Sequence, residues 1–184
     1  MLNLWGTGNT FVWLLIRAAL LFLPALTANS APLVMRNILR KRRFTPVDGG
    51  RTFLDGRRVF GDNKSWEGVA AGTITGTVVG AIYSAITGYS LWIVYGFLMG
   101  LGAMMGDLLN SFLKRRLNLE PGDPFIPFDQ LSFLYVAYLF TLPLNELEGV
   151  IKPYDLLIAT YLVLVLHPLT NLVAYWMKMK DNPW

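Results

Sequence analysis

The stretch Leu91-Trp92-Ile93-Val94-Tyr95-Gly96-Phe97-Leu98-Met99-Gly100-Leu101-Gly102-Ala103-Met104-Met105-Gly106-Asp107-Leu108-Leu109-Asn110-Ser111-Phe112-Leu113-Lys114-Arg115-Arg116 decides how this chain folds. From Leu91 to Met105 there is no charged residue, so the segment reads as a helix long enough to cross a bilayer, which takes roughly 20 residues. Its far end then turns polar in a helical register. Asp107, Asn110, Ser111 and Lys114 follow i, i+3, i+4, i+7 and share one face. An ionisable residue at the edge of lipid is expensive and marks a functional site.

The rest of the chain has the same character. Of its residues 54% are hydrophobic and 15% charged, with a mean hydropathy of +0.44, against about 25% charged for a soluble domain. The deficit lies in long uncharged runs at about 10–31, 68–86, 91–112, 128–144 and 154–177. The expected fold is therefore an all-α integral membrane protein of about five transmembrane helices, a single transmembrane catalytic domain over 1–184. The fourth run is the shortest. Arg17 lies inside the first run and is expected to snorkel to the nearer interface. With no small-residue cleavage pattern after it, this run is a span and not a signal peptide. Pro24, Pro143 and Pro168 are expected to kink their spans, and His167, before Pro168, reads as a buried histidine bonded to a neighbouring helix. There is no cysteine, which excludes disulfides and thiol chemistry.

Fourteen of the sixteen Lys and Arg residues fall in 36–64, in Lys114 to Arg116 and in Lys178 and Lys180. The positive-inside rule puts those segments in the cytoplasm. The N-terminus is then outside and the C-terminus cytoplasmic in a multi-pass protein of the cell membrane. Two cytoplasmic loops, about 39–67 and 115–127, face each other at one surface, and the polar site belongs there. The basic cluster Arg40 to Arg43 reads as a topology signal and a contact for anionic lipid; no nucleic-acid partner is expected.

Glycines recur every four residues in the second run, at Gly68, Gly72, Gly76 and Gly80, and the third has Gly96, Gly100, Gly102 and Gly106. Such spacing lets helices approach closely in lipid, within the chain or in a homodimer; alternatively it lines a groove for a lipid chain.

The first loop contains Asp48-Gly49-Gly50-Arg51 and Asp55-Gly56-Arg57-Arg58-Val59-Phe60-Gly61-Asp62-Asn63-Lys64-Ser65-Trp66-Glu67. Gly-rich backbone can offer consecutive N–H groups to a phosphate, with Arg and Lys adding charge. Ser65 is placed to N-cap the second span, whose start near Lys64 would attract an anion. Glu67 would repel a phosphate unless it orients Lys64 or Arg57 and Arg58, or shares a cation with it. Asp107 meets the unfavourable carbonyl end of its helix, a penalty that a divalent cation removes. The second loop adds Asp123 and Asp129. Hard oxygen ligands beside phosphate suit Mg²⁺, so the residues point to metal-dependent phosphoryl or nucleotidyl transfer, with Asp107 and Asp129 as metal ligands.

Lys64-Ser65-Trp66-Glu67-Gly68, then Gly106-Asp107-Leu108 with Ser111, Lys114 and Arg115, then Asp129-Gln130 resemble the signature segments of the integral-membrane phosphatidate cytidylyltransferases. Glu120-Pro121, the lack of histidine in the second loop, and Ser132 in place of a carboxylate resemble the shorter archaeal branch. The resemblance implies transfer of CMP from CTP to a lipid phosphate, releasing pyrophosphate. For that branch the lipid is 2,3-bis-O-geranylgeranyl-sn-glycerol 1-phosphate. It also implies Asp107, Lys114, Lys64 and Asp129 as catalytic residues. Asp48, Arg57, Arg58, Asp62, Lys64, Ser65, Glu67, Asn110, Ser111, Lys114 and Arg115 become the residues of the substrate site, with Asp48, Asp62 and Glu67 ordering the first loop. A phosphate monoester is already ionised, so a chain with one histidine, far from the loops, can still be this enzyme. The alternatives are an acyl-lipid phosphatidate cytidylyltransferase, a polyprenol kinase or, from another class, a small transporter. Against the last, no internal inverted repeat is visible.

Overall fold

A computed structural model describes residues 10–39 and 43–179, apart from the side chains of Thr10, Leu147 and His167. It has five helices: α1 Thr10–Ile38, α2 Trp66–Thr87, α3 Leu91–Arg116, α4 Phe128–Glu148 and α5 Pro153–Trp176. Among the described residues no strand forms beyond two isolated bridges in the first loop. Four helices, α1, α2, α3 and α5, are long and apolar enough to cross a membrane. In α4 the apolar stretch is bounded by Asp129 and Gln130 at one end and by Asn145, Glu146 and Glu148 at the other.

The central helix is α3, because its glycines remove the side chains that would hold neighbours away. A Cβ on Gly96 would lie 2.8 Å from the Cα of Gly80, and one on Gly76 would lie 2.7 Å from the Cα of Gly100. On the other flank, a Cβ on Gly102 would meet the Cα of Ala137 at 2.7 Å and one on Gly106 the Cα of Phe133 at 2.7 Å. The glycine ladder is thus filled inside the chain by α2–α3 and α3–α4 contacts. The expected close helix packing is made within the chain, which leaves no room on these faces for the alternative, a lipid groove, or for a homodimer. Half of the apolar window of α3 is buried, against 12% for α5, which leaves α5 as the outermost helix.

Three contacts fix how α1 runs. Tyr83 donates to the carbonyl of Leu20 at 2.8 Å, the carbonyl that Pro24, four residues on, cannot serve. The helix stays continuous through Pro24 and Pro32, and one freed acceptor is met from α2. Arg17, near the start of α1, meets Asp155 at the start of α5, while Asn37 near its end donates to the carbonyl of Met179 at 3.4 Å. Helices α1 and α5 are therefore parallel. The ends of α1, α3 and α5 gather with the starts of α2 and α4 at one end of the bundle, together with both long loops.

Arg17 corrects a second expectation. It does not snorkel: its guanidinium makes 2.8 and 3.0 Å bonds to a fully buried Asp155 and one of 2.9 Å to the carbonyl of Val150. The side chain of His167, and Arg40, Lys41, Arg42 and Lys180, lie outside the described residues.

Candidate active site

Helix α3 runs four residues past the apolar run, to Arg116, because Lys114 to Arg116 favour its carbonyl end and the first loop caps it. Arg57 donates to the carbonyls of Arg115 and Arg116 at 3.4 and 3.2 Å. Asp107 consequently lies more than two turns inside the helix, where the end charge has faded. Its partner is Lys64, whose Nζ sits 2.7 and 2.6 Å from its two oxygens.

One turn on, the stripe reaches α4. Asn110 donates to Oδ1 of Asp129 at 2.7 Å. Lys114 reaches both oxygens at 2.8 and 3.0 Å, and the N–H of Phe125 reaches Oδ2 at 2.6 Å. Ser111 points the other way and donates to the carbonyl of Phe60 at 2.9 Å. The four positions read as one polar face thus become a hub that touches both loops.

The first loop is built on Asp48. It accepts from the amides of Gly50, Phe60 and Gly61 at 3.0, 3.0 and 2.9 Å and from Arg58 at 2.6 and 3.2 Å. Burial pushes its carboxyl up, but the bonds from Arg58 and from the Gly61, Phe60 and Gly50 amides outweigh burial and hold it well below the usual carboxylate range. The amides of Gly50 and Gly61 are therefore engaged by Asp48, and Arg58, also bound to Asp62 at 2.6 Å, is held inside the loop. Asp48 thus orders the first loop, as expected, while Arg57 and Arg58 bond to the end of α3 and to Asp48 and Asp62. Asp62 is largely exposed. Glu67 accepts from the amide and hydroxyl of Thr45, tying the loop to α2, and Ser65 N-caps that helix through the N–H of Gly68 at 3.2 Å. Asp123 closes a local turn onto the N–H of Glu120, apart from the hub.

Sequence reading passed over Arg116. It donates to the carbonyls of Arg57 and Arg58 at 3.3 and 2.7 Å, lies 3.1 Å from Asp55, and sits 4.8 and 4.9 Å over the rings of Phe53 and Phe112. Its sequence signal was faint: two Phe residues 59 positions apart, one of them on its own helix. The neighbouring Arg115 also has a buried Nε with no hydrogen-bond partner among the described residues. Lys64 and Lys114 are the cations bound to the hub carboxylates, and the guanidinium of Arg115 lies by Gly61 of the first loop.

Among the described residues no three His, Asp or Glu side chains converge on one point. Mg²⁺ does not need them, since it takes one or two protein oxygens and completes its shell with phosphate and water. The oxygens of the hub suit such a hard ion. Asp107 has acceptor capacity beyond Lys64, and the Oδ1 of Asn110 is buried without a partner among the described residues.

The profile of a family described as CarS-like, CDP-archaeol synthase, matches residues 11–184. The CDP-archaeol synthase of Pyrococcus furiosus is 42% identical over 166 residues, 88% of this chain and 93% of that protein. That of Sulfolobus acidocaldarius is 40% identical over 171 residues, 92% and 98% of the two chains. A solved intramembrane enzyme for archaeal membrane lipid biosynthesis superposes with a TM-score of 0.72 at 36% identity, over 85% of this chain and 94% of that one. With a family match that spans nearly the whole sequence and relatives about 40% identical end to end, this chain belongs to the CDP-archaeol synthase family.

Proposed function

We propose that the chain is a CTP-dependent cytidylyltransferase that makes CDP-archaeol from 2,3-bis-O-geranylgeranyl-sn-glycerol 1-phosphate, releasing pyrophosphate, at the cytoplasmic face of the cell membrane. The observation that carries this reading is the hub: two lysine–carboxylate pairs, Lys64–Asp107 and Lys114–Asp129, at the loop-bearing end of a membrane bundle. A lipid phosphate arriving along the bilayer and a nucleotide arriving from water meet at such an end.

In the reaction an oxygen of the lipid phosphate bonds to the α-phosphorus of CTP, and the bond from that phosphorus to the bridging oxygen breaks. The electron pair leaves with pyrophosphate. The attacking oxygen is already ionised, so no side chain need remove a proton, and catalysis rests on positioning and on charge. Lys64 and Lys114 hold the phosphates on either side of the reacting phosphorus, and Arg115 takes the departing pyrophosphate. Asp107 and Asp129 keep the two ammonium groups fixed, and Ser111 fixes the first loop beside them. A divalent cation, Mg²⁺, bound at Asp107 supplies further neutralisation of the triphosphate. Any homodimer forms away from the glycine ladder.

The test is pyrophosphate release by the purified chain in detergent, with the ether-lipid phosphate and either CTP or ATP. Release with CTP alone is expected; release with ATP alone, or with neither, would refute the assignment.

A further inference from the structure

Asp129 is the second carboxylate that sequence reading assigns to the metal, yet its oxygens are occupied. A carboxylate accepts about four hydrogen bonds, and Asp129 receives four contacts, from Asn110, from Lys114 twice and from the N–H of Phe125. Asn110 is the reverse case. The residue is 6% exposed, its Nδ2 is committed to Asp129, and its Oδ1 is a buried acceptor with no partner among the described residues. A buried polar atom left unpaired costs on the order of 1–3 kcal/mol, so one retained in a polar hub calls for a ligand. Asp107 precedes Asn110 by three residues on α3, which sets the two on one face of the helix. Because Asp129 takes the amide nitrogen, the opposite end of that amide is an oxygen.

We infer that the Oδ1 of Asn110 is a ligand, beside Asp107, for the divalent cation that accompanies CTP, and that Asp129 acts from behind by orienting Asn110 and Lys114. This rests on the metal-dependent reading of the site above. The donor pair suits the ion: one charged and one neutral oxygen leave most of the shell for phosphate and water, as Mg²⁺ prefers. The arrangement also follows a common pattern, in which a carboxylate behind the ligand fixes its orientation. The neutral amide brings no second negative charge near the triphosphate, which a carboxylate in its place would.

The test uses Mn²⁺ in place of Mg²⁺, read by the electron paramagnetic resonance signal of the free ion. The full chain is in detergent with CTP and without lipid acceptor, so no turnover occurs. Wild type is expected to take up Mn²⁺ in a CTP-dependent manner. Asn110→Ala should weaken uptake by about tenfold or more, within the range that ligand-shell changes produce. Asn110→Cys should turn the preference toward the softer Cd²⁺ by about tenfold in competition with Mn²⁺, because only a directly coordinating sulfur has that effect. Asp129→Cys should not. If the cysteine variant does not remain monodisperse, Asn110→Asp keeps the oxygen and the volume and should bind Mn²⁺ at least as tightly as wild type. A Cd²⁺ preference at position 129 and none at 110, or wild-type uptake in Asn110→Ala, or Asn110→Asp binding no better than Asn110→Ala, would overturn the inference and leave the cytidylyltransferase reading intact. Absence of CTP-dependent Mn²⁺ uptake by wild type would overturn both.

Discussion

At the scale of the residue, the site is organised by which charges are paired and which are left. Lys64 of the first loop and Asp107 of α3 hold each other at 2.6 Å, so neither can be read alone. Replacing Asp107 by Asn removes the charge that fixes Lys64 and the carboxylate proposed to hold the cation. CTP turnover should fall by at least about a hundredfold, the scale of losing one preorganised electrostatic contact. The melting temperature in detergent should hardly move, because Asp107 and Lys64 are both partly exposed; activity within tenfold of wild type would count against the assignment. Asp48 gives a pH prediction. Its folded pKa is lowered, so its stabilising effect is fully present above the unfolded value of about 3.9 and is lost only as pH falls through the lower folded value. Amide hydrogen exchange over 48–61 should show the loop equally protected at pH 7 and pH 5, once corrected for intrinsic rates. Asp48→Ala, which strands Arg58 and three amides, should open the loop by about 3 kcal/mol; protection lost between pH 7 and 5 would contradict the role given to Asp48. The sequence made Asp107, Asn110, Ser111 and Lys114 legible because a helical register is local. It could not foresee the protein partners of Arg57 and Arg58, a helix end and an aspartate, since a basic residue in a Gly-rich loop looks the same whatever it meets.

At the scale of the element, apolar runs located every helix, and the errors lie at the ends. Helix α1 continues to Ile38 through Pro32, and α3 continues to Arg116. Polar and basic residues look like a boundary in hydropathy but are good helix formers once capped by another segment. The glycine ladder was legible as packing, though its partner was not, because four-residue spacing says only that something comes close. The structure names the partner, and the distances grade the consequence. An added methyl at Gly96 meets the backbone of Gly80 at 2.8 Å, whereas one at Gly68 meets Ser65 Oγ at 3.2 Å and Pro32 Cβ at 3.4 Å. Backbone cannot swing aside as a side chain can. Gly96→Ala should therefore cost about 1–3 kcal/mol, the usual range for overpacking, and Gly68→Ala less. Thermal unfolding of the two variants in detergent checks the order; equal or reversed losses would mean that α2 and α3 are not in this contact.

At the scale of the whole molecule, a polar cluster at each end of the bundle divides the work. The end with the loops carries the hub. The other end carries Arg17 on Asp155, Asn145 bonded to both the N–H and the carbonyl of Ile151, and Tyr89 on Glu148. Sequence could not foresee the Arg17–Asp155 pair, which joins residues 138 positions apart and fastens the sparsely packed α5. Asp155→Ala leaves a partly buried Arg17 alone and should cost about 3–5 kcal/mol, seen as a lower melting temperature, while the KM for CTP stays unchanged because the hub is at the far end. The same polarity bears on topology. The basic residues cluster with the hub, which supports the proposal that the loop-bearing end faces the cytoplasm, where CTP is supplied. With no native cysteine, single substitutions report sidedness without background. Asp62, 80% exposed in its side chain, lies in the first loop, and the exposed Lys152 lies in the turn before α5. In intact cells a membrane-impermeant maleimide should label Lys152→Cys and spare Asp62→Cys until the membrane is opened. The reverse pattern would turn the molecule over and place its lysine–carboxylate hub on the side where no nucleotide triphosphate is made.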